Sequence, residues 1–207
     1  NQALFRGNVK LVHPKFVLTT DTLCYNTETH KADLVSPTRI IYEEETTILS
    51  SNGWYNTETE YSMLLDRSLI VHSDGKTLTG DTIFYDKIAG YGKVYGNMQS
   101  TDSINKMTLY GNIGEVWESD NHGYVTDSAM LVEWSDSTAY TYMHGDTLFT
   151  DQIPYRRCDI IAKDSVLVDS VWQYPVPDTL WTDTTYLQVR AYYNVRIFRE
   201  DMQSVCD

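Results

Sequence analysis

Apolar and polar residues alternate along most of the chain with a period of two, the pattern of strands that bury one face. The stretches TTDTLCYN (Thr19 to Asn26), LTGDTIFYD (Leu78 to Asp86) and MHGDTLFTD (Met143 to Asp151) carry it most clearly. Each reads as a turn, then Asp, Thr, an aliphatic residue, an apolar and usually aromatic pair, and a closing Asn or Asp. SSNGWYN (Ser50 to Asn56) is a looser copy and AMLVEWSD (Ala129 to Asp136) a degenerate one. No window of twelve or more residues holds the i, i+3, i+4, i+7 apolar spacing of an amphipathic helix. The pattern predicts an all-β protein.

The copies recur at a fixed interval. Tyr25, Tyr55 and Tyr85 are 30 residues apart, and Trp117 follows 32 later. The pentapeptide YNTET occurs twice in this frame, starting at Tyr25 and at Tyr55. It reads as a corner: Tyr ends a strand, the Asn side chain opens a turn through its own hydrogen bond, and Thr-Glu-Thr carries the chain round. Nothing supports a catalytic role for Glu28 or Glu58. A second motif lies between the copies, at RGNVKL (Arg6 to Leu11), YGNMQS (Tyr95 to Ser100), YGNIGEV (Tyr110 to Val116) and YNVRI (Tyr193 to Ile197). Gly and Asn tolerate positive φ, so this motif reads as a turn that opens a new strand. A period of about 30 residues then holds two short strands and two corners.

Alternation assigns faces. Leu23 and Tyr25 share one face, and the matching positions are Tyr55, Ile83, Tyr85, Val132, Trp134 and Leu148. This face is the more apolar and is expected inside, although Trp54, Phe84 and Phe149 fall on the other. The rhythm breaks from Gln152 to Gln188, where Pro154, Pro175, Pro177, Trp172 and Trp181 gather, and returns at RAYYNVRIF. The expected organisation is a β-repeat domain over 1–151, an insertion over 152–188 shaped as a long hairpin or loop, and a return to the repeat over 189–207. An independent domain of the insertion's size would have almost no core.

Composition supports strands, with 13 % aromatic residues and sixteen Tyr. The formal charge of −13 repels nucleic acid and anionic membrane faces. Cys24, Cys158 and Cys206 lack C-x-x-C spacing, and their odd number leaves one thiol outside any disulfide. The five histidines never stand at metal-ligand spacing, and neither GxSxG nor HExxH occurs. No catalytic residue, metal or cofactor is therefore expected. No apolar run approaches eighteen residues.

With these motifs in place, the chain resembles the OstA-like family of periplasmic lipopolysaccharide-transport proteins, in the form found in Bacteroidetes-type bacteria. The residues that carry the likeness are GNVKL (Gly7 to Leu11), DTLCYN (Asp21 to Asn26), GDTIFYDK (Gly80 to Lys87), YGNMQSTD (Tyr95 to Asp102), HGDTLF (His144 to Phe149) and the closing YNVRIFREDMQSVCD from Tyr193. The resemblance implies an antiparallel β-jelly-roll or β-taco whose open apolar groove takes the acyl chains of lipopolysaccharide or a related lipid. On this reading Leu23, Tyr25, Tyr55, Ile83, Tyr85, Val132, Trp134 and Leu148 are the groove candidates. It also implies a periplasmic location, after loss of a targeting segment, and partners among other Lpt-type components or copies of the chain joined end to end by strand addition. No nucleic acid is expected. The acidic balance gives no broad basic surface for lipid phosphates, and Arg156, Arg157, Arg190, Arg196 and Arg199 read as solvated charge.

Two other classes fit the repeat. A structural or adhesion module would have a filled core, and a polysaccharide-acting enzyme would place two close carboxylates with raised pKa in a cleft. Finally, QSVCD aligns with the residues before LCYN, so that Asp207 matches Asp21. A further strand is expected beyond it.

Overall fold

A computed structural model describes residues 1–119, 122–134, 139–161, 166–168, 171–173 and 177–206. Every regular element among them is a strand: β1 (Gln2–Val12), β2 (Phe16–Asn26), β3 (Lys31–Leu34), β4 (Thr38–Tyr42), β5 (Thr46–Ser50), β6 (Asn52–Asn56), β7 (Tyr61–His72), β8 (Lys76–Asp86) and β9 (Tyr91–Asp102). There follow β10 (Met107–Trp117), β11 (His122–Trp134), β12 (Tyr140–Ile161), β13 (Val166–Val168), β14 (Val171–Gln173), β15 (Asp178–Tyr192), β16 (Val195–Arg199) and β17 (Met202–Cys206). The chain divides into two compact units, one of residues 1–150 with 189–207 and one of residues 151–188.

The first unit is an antiparallel sheet folded across its own strands. β2 pairs with β4 through Phe16–Thr20 but with β3 through Leu23–Asn26. β7 likewise pairs with β6 through its first residues and with β5 through its last. Each long strand thus contributes to two sheet halves. Half A holds β4, β5 and one end of every long strand; half B holds β3, β6 and the other end.

Two devices make the bend. In β1, β7, β9 and β11 a pair of residues turns left-handed: Gly7 and Asn8, Asp66 and Arg67, Gly96 and Asn97, Asp127 and Ser128. In β2, β8 and β10 the inward parity flips instead, so that Phe16, Leu18 and Thr20 are buried before the fold line and Leu23 after it. Amide and carboxylate side chains join neighbouring strands along this line. Asn97 Nδ2 donates to Asp81 Oδ2 at 2.6 Å, Asn52 Nδ2 to Asp66 at 2.8 Å, and Asn112 Nδ2 to Asp127 at 3.0 Å. The buried hydroxyls beside it are also satisfied, Thr38 on Thr20 at 2.9 Å and Ser68 on Ser50 at 2.8 Å.

This corrects one expectation. Gly-Asn does adopt positive φ at Gly7, Asn8, Gly96 and Asn97, but it sits in the middle of β1 and β9 and opens no new strand. The Tyr193–Asn194 copy, also at positive φ, stands between β15 and β16 and does open a strand. The Asp of the repeated Asp-Thr also lies inside a strand, at the fold line. The strands are therefore about twice as long as expected, eleven or twelve residues in β7 to β10.

The YNTET corners are true turns at the rim of half B. Asn26 Oδ1 accepts from the amides of Glu28 and Thr29 at 2.9 and 3.1 Å, and Asn56 Oδ1 from those of Glu58 and Thr59 at 3.0 and 2.9 Å. His30, Glu60 and Gly90 close successive corners with positive φ. Their carbonyls accept from Thr57, Lys87 and Glu118, which stacks each corner on the next.

In the second unit the far part of β12 pairs with β15, and β13 with β14. None of its residues with described side chains is buried. Tyr155 meets Tyr186 edge-on at 5.6 Å and Arg156 lies over Trp181 at 5.4 Å. The expected matches at Ser135, Asp136 and Asp207, and Pro175 of the expected insertion, lie outside the described residues.

Candidate functional site

The two sheet halves face each other across a layer of inward side chains. In half A one ladder row reads Leu11, Leu18, Ile40, Ile48, Ile70, Leu78, Ser100, Leu109, Leu131. In half B a row reads Leu23, Leu34, Gly53, Leu64, Ile83, Val94, Gly114, Val125. Nearer the rim of half B, small and large residues alternate from strand to strand: Ala3, Tyr25, Ala32, Tyr55, Ser62, Tyr85, Gly92, Val116, Gly123. The small positions leave room for the flanking rings, and a Cβ at Gly92 would lie 3.5 Å from the Tyr85 ring.

These rows do not fill the space evenly. Around β2 to β4 they pack shut, with Phe16, Leu18, Leu23, Leu34 and Ile40 at most 3 % exposed and Phe16 edge-on to Tyr55 at 5.1 Å. From β5 onward they enclose a cavity of about 520 Å³, lined from half A by Ile48, Ile70, Leu78 and Leu109 and from half B by Tyr55, Ile83, Tyr85, Val94, Val116 and Val125. That volume lies within the roughly 300–1,000 Å³ of small-molecule sites.

Polar groups gather at its mouth, on the rims of the two halves: Tyr42, Glu43, Glu45, Glu60, His72, Lys87 and Glu118. Ser62 and Ser100 are polar positions within the inward rows, and Lys93 and Glu115 also border the cavity. Tyr85 Oη donates to Glu118 at 2.7 Å, and burial first, then that bond, raises the Tyr85 pKa. Burial likewise raises that of Tyr55. Both hydroxyls stay neutral, so the rings bring no charge inside. Glu60 is held below the ordinary carboxylate range by its hydrogen bond from Lys15. At Glu115 burial acts upward, but hydrogen bonds from Lys93, Tyr124 and Tyr91 prevail and lower the pKa. Both carboxyls are ionised anchors, the opposite of what a proton donor needs.

The candidate residues divide three ways. Tyr55, Ile83 and Tyr85 line the cavity. Leu23 and Leu148 point inward but are fully buried, and Tyr25 points inward with its hydroxyl 3.0 Å from Thr57 Oγ1. Val132 and Trp134 stand on the outer face, because the partner of groove-lining Leu109 on β11 is Leu131, and alternation turns Val132 away. AMLVEWSD follows a left-handed bend at Asp127 and Ser128, so it is not a copy of the parity-flipping strands. Sequence reasoning missed Ile48, Ile70, Leu78 and Leu109. The alternation of β5 and β7 carried the signal for the first two, and Leu78 and Leu109 follow from their place on β8 and β10 in the same row.

Fold and cavity together define a class: a folded antiparallel sheet with a largely apolar groove between its halves. Residues 1–81 match the family described as OstA-like protein, so this part of the chain is OstA-like. No curated protein matches the chain. No helix long and apolar enough to cross a membrane occurs among the described residues.

Proposed function

We propose that this is a periplasmic lipopolysaccharide-binding transport protein that shields acyl chains in the groove between its sheet halves and forms part of a bridge to the outer membrane. The observation that carries the reading is the cavity, apolar along its walls and polar at its mouth, in a chain whose first 81 residues are OstA-like. Each acyl methylene moved from water into such a groove gains about 0.8 kcal/mol. A chain laid along the Ile48–Leu109 row would keep its headgroup among the polar residues of the mouth. No chemistry is required.

Strand addition fits the ends of the sheet. Among the described residues β1 pairs only with β2, and β17 only with β16. Phe5 continues an inward row onto β1 and is 47 % exposed, so the apolar lining reaches the open edge. A neighbouring copy, or another Lpt-type component, that paired there would extend the apolar layer.

The test places a photo-crosslinker at Ile83, Leu109 or Val132 and adds a lipopolysaccharide analogue. Adducts are expected from Ile83 and Leu109 and not from Val132. Failure to take up the lipid, or equal adducts at Val132, would overturn the reading in favour of a structural module.

A further inference from the structure

On the outer side of half A, away from the groove, the fold line holds a shallow hollow of about 740 Å³. Lys10, Thr19 and Arg39 lie in one outward ladder row there, Lys10 paired with Thr19 and Thr19 with Arg39. Neighbouring strands stand about 4.8 Å apart, so the two cations flank Thr19 with their Cα atoms about 10 Å from each other. Both side chains are long enough to meet above the threonine. Neither Lys10 nor Arg39 has an ion-pair partner among the described residues. Arg67 forms the opposite wall, its guanidinium 3.7 Å from Asp81.

Two carboxylates also border the hollow, Asp21 and Asp66. Asp66 is already engaged by the Asn52 amide at 2.8 Å. With Arg67 paired to Asp81 and Asp66 engaged by Asn52, Lys10 and Arg39 face Asp21 alone among the remaining lining carboxylates, in a chain with 16 basic and 29 acidic residues. A compact pair of cations on a chain of net charge −13 attracts a small anion and rejects a long polyanion.

We propose that the hollow binds a phosphate dianion, free or as a monoester, with Lys10 and Arg39 taking its oxygens from two sides. A dianion gains twice the attraction of a carboxylate from the same two cations, and the guanidinium fork matches phosphate oxygens in pairs. Either inorganic phosphate or a phosphorylated sugar headgroup carries this chemistry. The site faces away from the groove, so its occupation does not depend on an acyl chain.

The test uses the whole ¹⁵N-labelled chain, titrated separately with inorganic phosphate, glucose 6-phosphate and glucose. Both phosphates are expected to shift the amides of Thr19, Arg39 and Ser51, and glucose to leave them in place. The double variant Lys10→Gln with Arg39→Gln should weaken binding by about tenfold or more, while Arg156→Gln leaves it unchanged. Tighter binding of glucose 6-phosphate assigns the site to a phosphorylated headgroup, and equal binding assigns it to the free ion. Still amides at millimolar phosphate, or a double variant that binds like the parent, would overturn the proposal.

Discussion

Lys15 Nζ lies 2.5 Å from Glu60 Oε1 and joins the rim of one sheet half to the rim of the other. Lys15 sits in the turn between β1 and β2, and Glu60 closes the second YNTET corner with φ 57°. The Tyr42 hydroxyl, also from half A, donates to the other oxygen at 3.2 Å. Glu60 is thus a clasp between the two rims at the mouth of the cavity. Its depressed pKa makes the clasp pH-dependent. A carboxyl whose folded pKa is lowered contributes stability that is present above its ordinary value of 4.5 and is lost as pH falls through the lowered folded value. Glu60→Gln should therefore speed hydrogen exchange at the Glu43 amide, which donates to the Lys15 carbonyl. The parent chain should show the same acceleration only below pH 4.5. Equal exchange in parent and variant at neutral pH would refute the clasp.

The corners offer a second measurement. Asn56 accepts two amides through Oδ1, and its Nδ2 donates to the Thr29 carbonyl of the previous corner at 2.9 Å. Asn56→Ala should cost about 1–2 kcal/mol in urea unfolding, since net hydrogen bonds contribute about 1 kcal/mol each. Asn56→Asp keeps the acceptor and loses only the stacking bond, so its loss should be smaller. If Asn56→Asp were the worse of the two, the link between corners and not the turn itself would dominate.

How far the sequence reveals this fold depends on the kind of signal. The corners were legible because Asn-Thr-Glu-Thr acts locally, through a side chain that bonds its own backbone two and three residues on. The inward direction of Tyr55, Ile83 and Tyr85 was legible because alternation holds within one sheet half. It fails across the fold line. There Asp81 and Asn97 meet through an amide–carboxylate bond between strands, and no local pattern announces a partner 16 residues away. The same blindness put Val132 inside, because a left-handed pair and a parity flip look alike as strings of Asp, Gly, Asn and Ser. The uneven filling of the interior was hidden too, since it depends on which small residue of one strand faces which large residue of another.

That uneven filling separates two kinds of leucine. Leu64 is 1 % exposed within the inward row of half B. Leu64→Ala should cost about 2–5 kcal/mol, the loss typical of a packed leucine. Leu109 is also buried, but it faces the cavity and has fewer atoms to lose contact with. Leu109→Ala should fall at or below the lower end of that range. Denaturant midpoints for the two variants test the order. Leu78→Trp supplies the complementary case: the larger ring should occupy the cavity, keep the unfolding midpoint close to the parent and abolish lipid uptake. A Leu78→Trp chain that took up lipid normally would show that the ligand lies elsewhere.

Two glycines with positive φ should differ sharply in what they tolerate. Gly7 has φ 78°, and a Cβ there would meet nothing within 4 Å. Gly7→Ala then pays only for a left-handed alanine, about 1–2 kcal/mol. Gly53 has φ 134°, outside the left-handed well, and its Cβ would run into the Met63 carbonyl oxygen on β7. A backbone atom of a paired strand cannot step aside as a side chain can, so relief requires β6 to part from β7. Those strands are held there by the pairs Gly53 with Leu64 and Trp54 with Met63. Gly53→Ala should therefore destabilise the chain by more than Gly7→Ala and expose Leu64. Urea unfolding of both variants gives the comparison, and amide exchange at Leu64 and Leu65 reports whether β6 has separated. A Gly53→Ala chain as stable as Gly7→Ala would mean that the close approach of β6 to β7 is not what selects glycine at this position.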